Sequence, residues 1–520
     1  MQTILTTSIA TRSESRNISV YINYDKIMSL ESYNKLKKIF SQTSISSDIE
    51  GILHWDMSTM MPANARKQRS DQLAFMATLK HKLISDAGVD DLIKEVRENS
   101  LELKDQANFR EMKREHLFLS ALPSTLIESL SKTSAECEGI WQNAREKSDF
   151  NIVKKSLKEL IKLTREEASI LADKLNCSPY EALVQKYEPL AKIKNISEVF
   201  ADLKRFLIPS VDKIIEKQKS DLFLPITETI SPNTQYEIAQ SLMKTVGFDF
   251  TRGRLDKSHH PFCGGATDDV RITTRYNKSD PFSSLEGVMH ETGHAMYELG
   301  LPQEWQHQPV GRSRGMAMHE SQSLLIEMQI TRSLAFKKFL SKLLQSFGFE
   351  NNQFSADNLY SVGTRVNKSY IRVEADEVTY PLHIMLRFNI EQMLLENSLQ
   401  VEDIPSAWNE EYKKLFGMNV DKHSNGCLQD IHWYAGLIGY FPTYSLGALT
   451  AAQFANTTSK EIPNLNKDIE EGKFSNLMDW LRRNIHEKAS FFSTNEILQQ
   501  VTKSPLNAKY FKEYIANRYF

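Results

Sequence analysis

The chain has 520 residues with 64 basic against 66 acidic side chains and a formal charge of −2. It carries no strong field for a polyanion, so no nucleic-acid or anionic-membrane partner is expected. An apolar fraction of 41% supplies a substantial core, and the four dispersed cysteines form no CxxC pair, which argues against a disulfide framework or a thiolate metal cluster and fits a reducing cytoplasm.

Residues 1–27 are rich in Ser, Thr and Arg but lack a continuous apolar stretch, so they make no secretory signal and are read as a disordered leader. From Met28 onward Leu30, Tyr33, Leu36 and Ile39 begin a helical period, and residues 28–520 are read as a single helical domain. Between Asp105 and Lys219 apolar residues at three- and four-residue spacings among Lys and Glu predict amphipathic helices. Breaks are expected at Asn176 to Pro179, Ile193 to Ser197 and Pro225 to Asn233. From His259 to Tyr276, paired glycines followed by an alternating β-branched run predict a small hairpin or short sheet, a wall for an active-site groove. The next segment, VMHETGHAMYELG, is a predicted helix, with Ser283 and Glu286 as a capping box and Gly300 and Pro302 as its stop. Further helices are expected at Met318 to Gln345, Val366 to Asn397, Ile404 to Phe416 and Ser475 to Ser490. The uncharged run from Trp433 to Ser459 has too little Leu, Ile and Val for a membrane span, and a buried loop and helix lining a cleft is expected instead.

On a helix His290 and His294 lie one turn apart, able to point both imidazoles at one metal ion with Glu291 beside it. The plain alternative is two surface histidines flanking a surface glutamate. A catalytic zinc site takes three protein ligands and keeps a position for water. Glu320 is the leading third ligand and His319 its rival, because neighbours on a helix point about 100° apart and only one can face the metal. Glu298 and Glu327 are weaker options, read as structural. Zinc in such a site polarises a peptide carbonyl while Glu291 moves the water proton. Donors for the developing oxyanion are sought in SYIRVEADEVTYPLH, with Arg372, Asp376 and Tyr380, and in GCLQDIHWYAG, with Gln429, Asp430 and His432. Each also has an ordinary reading, as a surface charge or a satisfied core residue.

Taken together these segments resemble the carboxypeptidase Taq family of zinc metallocarboxypeptidases. The likeness is carried by HPF at His260 to Phe262, D-x-R-x-T at Asp269, Arg271 and Thr273, HETGH at His290 to His294, and HES at His319 to Ser321. It continues with I-R-x-x-A-D-x-x-T-Y at Ile371 to Tyr380 and G-x-x-Q-D-x-H-W at Gly426 to Trp433, and extends to LHWDMSTMMP near Trp55 and GYFPTYSLG ending at Gly447. The resemblance implies a mostly helical, neurolysin-like metallopeptidase fold with two lobes around a deep groove and a small β-sheet beside the metal helix. It implies a cytoplasmic homodimer that removes single residues from the C-termini of peptides with broad specificity. His290, His294 and Glu320 become the metal ligands, Glu291 the general base, and Zn2+ the ion, one per subunit, with Co2+ or Mn2+ as alternatives. Arg372 is the first choice for binding the free α-carboxylate, since a guanidinium fork matches two oxygens. Tyr444 shares that contact, Tyr380 and His432 are oxyanion or backbone donors, and Arg271 closes the groove or braces the sheet. Pro381 is expected to kink the helix at Tyr380. The position four residues after Glu320 is Leu324, so the histidines are expected to be oriented by Ser321, Gln322 or an acid from elsewhere.

Overall fold

A computed structural model describes residues 5–85 and 87–520, with side chains from Ile27 onward except those of residues 86 and 87. It is 71% helical with one small sheet, and the chain divides into two compact units. The first comprises Met1–Ser120, Pro302–Arg312 and Ala489–Phe491. It holds α1 (Leu5–Thr59), α2 (Arg66–Ser85), α3 (Ala87–Glu95) and α4 (Leu103–Ser120). The leader expected over residues 1–27 falls almost wholly on residues whose side chains lie outside the described ones. Tyr33, Leu36 and Phe40 of α1 pack with Ile84, Val89, Phe109 and Met112, while Leu30, assigned to the same stripe, is exposed. The Tyr33 hydroxyl donates to Asp105 at 2.8 Å and accepts from Asn108 at 3.0 Å, which satisfies the polar tip of a buried ring.

The second unit opens with α5 (Ser124–Lys147), α6 (Asn151–Leu175), α7 (Pro179–Tyr187), α8 (Ile193–Gln218) and α9 (Pro232–Val246). These are the predicted amphipathic helices, and their stops follow local chemistry. Asn176 ends α6 in the left-handed region at φ 51°, and Ser178 and Pro179 start α7 as N-cap and first residue. The break expected at Ile193 to Ser197 lies instead just before Ile193. The Glu181 carboxylate accepts from the Ile193 backbone N–H at 3.0 Å, so a side chain from α7 caps α8 where no local capping residue stands.

The sheet follows: β1 (Gly253–Lys257), β2 (Phe262–Ala266) and β3 (Asp269–Thr274), in the order β1-β3-β2. The expected hairpin is β2–β3, antiparallel with Gly264 opposite Arg271, and β1 joins β3 in parallel. Then come α10 (Pro281–Leu299), α11 (Gly315–Leu324), a π-helical segment (Leu325–Thr331) and α12 (Leu334–Ser346). The continuous helix expected from Met318 to Gln345 is therefore broken, because Ser333 starts α12 afresh by accepting from the Phe336 N–H. After α13 (Ala356–Gly363) the chain stays largely irregular until α14 (Tyr380–Leu395), which corrects the helix expected from Val366. Asp376 accepts from the backbone N–H groups of Asn367, Val378 and Thr379, a carboxylate knot that holds the loop. Pro381 occupies the first turn of α14 rather than kinking a longer helix.

The remaining helices are α15 (Ile404–Phe416), α16 (Pro442–Glu461), α17 (Leu465–Glu470), α18 (Ser475–Asn484), α19 (Thr494–Thr502) and α20 (Lys509–Tyr519). The expected boundaries of α15 are met. The uncharged run from Trp433 becomes a turn-rich loop and the buried helix α16, which packs along α11. Among the described residues no helix is long and apolar enough to cross a membrane.

His486, beyond α18, is buried and shares a hydrogen bond with Gln322 of α11 at 3.2 Å, with its ring against Tyr297 of α10. Burial, and then Arg482, push its pKa down to about 3, so the folded protein holds it neutral while the unfolded chain titrates near its ordinary value. The stability this contributes is present above about pH 6.5 and is lost as the pH falls toward 3. His486→Gln is therefore expected to shrink the difference in melting temperature between pH 7.5 and pH 5, measured by circular dichroism.

Candidate active site

Helix α10 begins three residues before the expected capping box. Asp280 is the N-cap, accepting from the Ser283 N–H at 3.2 Å, and Pro281 takes the first helical position. Glu286 is thereby released from capping and meets Lys337 at 3.3 Å and Arg332 at 3.5 Å. One turn further on, the rings of His290 and His294 stand 4.9 Å apart. Glu320 of α11 brings its Oε2 to 3.3 Å from His294 Nε2 and 3.8 Å from His290 Nε2. The ligand atoms of these three residues lie within 4.8 Å of one another.

The donor set fits a divalent cation because both histidines turn their other nitrogen to an acceptor. His290 Nδ1 meets Glu327 Oε2 at 2.8 Å, and His294 Nδ1 meets the His319 carbonyl at 3.1 Å. A carboxylate and a carbonyl only accept, so each Nδ1 carries a proton, and each Nε2 is the nitrogen left facing Glu320, where it would give its lone pair to a bound cation. His319, the rival ligand, packs its ring on His294 at 4.5 Å and gives its Nε2 to Glu298 at 2.8 Å. Neither Ser321 nor Gln322 bonds the ligand histidines. Ser321 donates to the Met318 carbonyl, and Gln322 reaches Ser321 and His486. The acid from elsewhere is Glu327, whose second oxygen accepts from Arg332 at 2.9 Å. It lies seven residues after Glu320, in the π-helical segment that continues α11. Burial pushes the Glu291 carboxyl up to about 7, with Glu320 adding to the rise and His290 opposing it.

Arg372, Tyr380, His432 and Tyr444 form a second group, of which Tyr380 and Tyr444 lie within electrostatic reach of Glu320. Arg372, in a short 3-10 turn, gives its Nε and Nη2 to Asp430 at 3.0 and 2.8 Å and points Nη1 at the Tyr380 hydroxyl at 3.5 Å. Its guanidinium lies 5.0 Å from the Tyr444 ring centre. Tyr444 meets His432 Nε2 through its hydroxyl at 3.1 Å, so His432 sits behind Tyr444. The rings of Tyr380 and Tyr444 are 6.3 Å apart. Gln429 accepts from the Arg372 backbone N–H at 2.8 Å and so fixes the turn. Asp376 belongs to its own loop knot. Arg271 is tied to Asp269 on the same strand at 2.6 Å. Arg387 went unnoticed in the sequence although it stands as a charge inside the apolar run PLHIMLRFNI, the signature of a buried ion pair. It is fully buried and bonds the other oxygen of Asp430.

Close helix approach sets these distances. A β-carbon at Gly447 of α16 would stand 2.7 Å from Cβ and Cγ of Glu320, and one at Gly293 of α10 would stand 2.5 Å from the Gln322 carbonyl. Gly447→Ala is expected to push Glu320 back and weaken metal binding roughly tenfold, the scale of a modest overpacking cost. Chelator competition against the wild type measures it.

Residues 35–519 match the family model described as carboxypeptidase Taq (M32) metallopeptidase. The chain is 33% identical over 500 residues to thermostable carboxypeptidase 1 of Thermus thermophilus, covering 94% of this chain and 98% of that one. It is 30% identical to carboxypeptidase 1 of Bacillus subtilis, covering 94% and 97%. The solved structure of Trypanosoma cruzi metallocarboxypeptidase 1 superposes with a TM-score of 0.92 at 36% identity, over 94% of this chain and 100% of that one. With the histidine and glutamate cluster that could hold a divalent ion, these likenesses make the chain a member of the carboxypeptidase Taq (M32) metallopeptidases, a peptide hydrolase of the carboxypeptidase type.

Proposed function

We propose that this chain is a zinc carboxypeptidase of broad specificity that removes single residues from peptide C-termini, with one ion per subunit and Co2+ or Mn2+ as alternatives. On this reading residues 28–520 form one catalytic domain whose two lobes flank a groove, and the enzyme works as a cytoplasmic homodimer. The observation that carries the chemistry is the convergence of two imidazole Nε2 atoms and the Glu320 carboxylate on one point. His290, His294 and Glu320 would hold the ion, and the chemistry supplied there is Lewis acidity toward a peptide carbonyl and toward water.

The remaining steps belong to the protein. Glu291, buried beside the histidines, accepts the proton of the attacking water and returns it to the leaving amine. The Tyr380 hydroxyl donates to the carbonyl oxygen as negative charge develops. His432 acts through Tyr444, holding that phenol toward the substrate. Arg372 offers its Nη1 side to the α-carboxylate, since its other edge is engaged by Asp430, and Tyr444 shares the contact. Arg271, fixed by Asp269, closes the groove beyond the reactive centre.

Digestion of a mixed peptide library is expected to give ladders shortened from the C-terminus, abolished by a chelator and absent for C-terminally amidated peptides. Glu291→Gln is expected to lower kcat by roughly 10²- to 10⁴-fold with metal content unchanged. Arg372→Ala is expected to cost about 2–5 kcal/mol in kcat/KM on free-carboxylate peptides with metal retained. Internal cleavage of amidated peptides at the same rate would replace this reading with an endopeptidase.

A further inference from the structure

Asp430 is one carboxylate shared by two buried guanidinium groups. Its Oδ1 accepts from Arg372 Nε and Nη2. Its Oδ2 accepts from Arg387 Nε at 2.7 Å and also meets Arg387 Nη2. Arg387 spends its remaining nitrogen on the His383 carbonyl at 2.6 Å, one turn back on α14. Its plane lies over Trp408 at 4.6 Å and Phe441 at 5.3 Å. Burial by itself would raise the Asp430 carboxyl, but Arg372 and Arg387 overcome it and hold the group far below the carboxylate range. Asp430 is thus an anion.

The other groups around the pair do not restore neutrality. Burial holds His432 down at about 3 and His383 well below its ordinary value, so both are uncharged. Burial likewise keeps the Tyr380 and Tyr444 phenols protonated. Glu391, the next acid on α14, is turned to Tyr180, Trp433 and the Gly439 N–H and bonds neither arginine; burial pushes its carboxyl up to about 7 against the pull of those bonds and of Arg387, so below that pH it adds no negative charge to the cluster. Two cations share one anion in a dry, aromatic-lined setting, where a buried charge without a partner is unfavourable. Electrostatic interactions there are strong because the local dielectric is low.

We propose that Arg387, set behind Arg372, is a specificity residue: by sharing Asp430 it leaves the Arg372–Asp430–Arg387 cluster one positive charge in excess, which a substrate's free C-terminal carboxylate neutralises. This rests on the exopeptidase reading above. Without Arg387, Asp430 would neutralise Arg372, and an arriving carboxylate would meet an ion pair of no net charge. The aromatic faces of Trp408 and Phe441 stabilise Arg387 while the cluster waits for its anion. Arg387 is a positioning and charge-setting group, and Arg372 makes the contact.

The test compares two hydroxamate inhibitors that differ only at the group mimicking the substrate terminus, a carboxylate in one and a primary amide in the other. In metal-loaded wild type the carboxylate form binds more tightly. Arg387→Met is expected to lower the carboxylate-to-amide affinity ratio roughly tenfold or more and to raise KM, with binding of the amide form and kcat nearly unchanged. The double variant Arg387→Met with Asp430→Asn removes one charge of each sign, keeps the surplus on Arg372, and is expected to restore the ratio. Arg387→Lys, which keeps the charge and loses the fork, should also retain it. An unchanged ratio in Arg387→Met, equal weakening of both inhibitors, or a double variant that fails to recover the preference would overturn the proposal. If Arg387→Met does not fold, the double and Lys variants decide in the same way. Wild type binding both inhibitors equally would instead count against the exopeptidase reading itself.

Discussion

Two hydrogen bonds set the geometry of the candidate metal site: His290 Nδ1 to Glu327 and His294 Nδ1 to the His319 carbonyl. They hold a proton on each Nδ1 and leave both Nε2 atoms facing the Glu320 carboxylate, the arrangement in which a cation would take their lone pairs. Burial alone would raise Glu327, but His290 and Arg332 bring it down to about 2 and keep it an acceptor. Arg332 also faces Glu286, which meets the buried Lys337. The orientation of a ligand histidine thus rests on an alternating row of charges running from Lys337 through Glu286, Arg332 and Glu327. Each member is tolerable inside the protein only because its neighbour is opposite in sign.

The same bonds demand that helices approach unusually closely. For the His319 carbonyl to reach His294, α11 must lie against α10, and Gly293 leaves the space for it. For Glu320 to stay between the imidazoles it needs a wall behind it, and α16 supplies one at Gly447. The glycine within HETGH and the last glycine of GYFPTYSLG therefore serve packing, and through packing the metal geometry. Substituting neither would remove a ligand, yet both control where a ligand stands.

The ligand helix was legible because its logic is local: two histidines one turn apart, a glutamate beside them, a carboxylate on the next helix. The amphipathic helices before the sheet, the hairpin and α15 were legible for the same reason, since periodicity and turn residues act within a few positions. The losses are nonlocal partners, and caps that the hydrophobic period hides. Glu181 caps α8 from another helix, and Ser333 restarts a helix whose periodicity continues unbroken through it. Glu327, read from the sequence as a structural acid, turns its carboxylate to His290 from the π-helical segment, a placement that an α-helical period does not give. Arg387 did carry a signal, a lone charge in an apolar run. Its partner Asp430 lies 43 residues away, and nothing in the linear pattern joins them.

The two halves of the candidate site differ in electrostatic sign, and on the proposed reading that difference would orient a peptide end. Around the histidines the acids Glu320 and Glu327 outnumber their one direct cation, Arg332, and Glu291, pushed up to about 7, adds to the surplus as it ionises, a surplus suited to a divalent ion. Around Arg372 the arginines outnumber Asp430, a surplus matched to an anion. Tyr380 and Tyr444 stand between, each feeling both Glu320 and Arg372, and their protonated phenols add hydrogen bonds without adding charge to either side. A C-terminal residue bears its carboxylate one residue beyond the scissile carbonyl. On the proposed reading it would satisfy both surpluses in only one direction, with the carboxylate at Arg372 and the carbonyl toward the histidines. An internal segment of a peptide has no anion for the cationic half and would leave that buried charge unanswered. On the proposed reading, preference for chain ends would follow from charge balance in a buried site, whatever side chain the terminal residue carries.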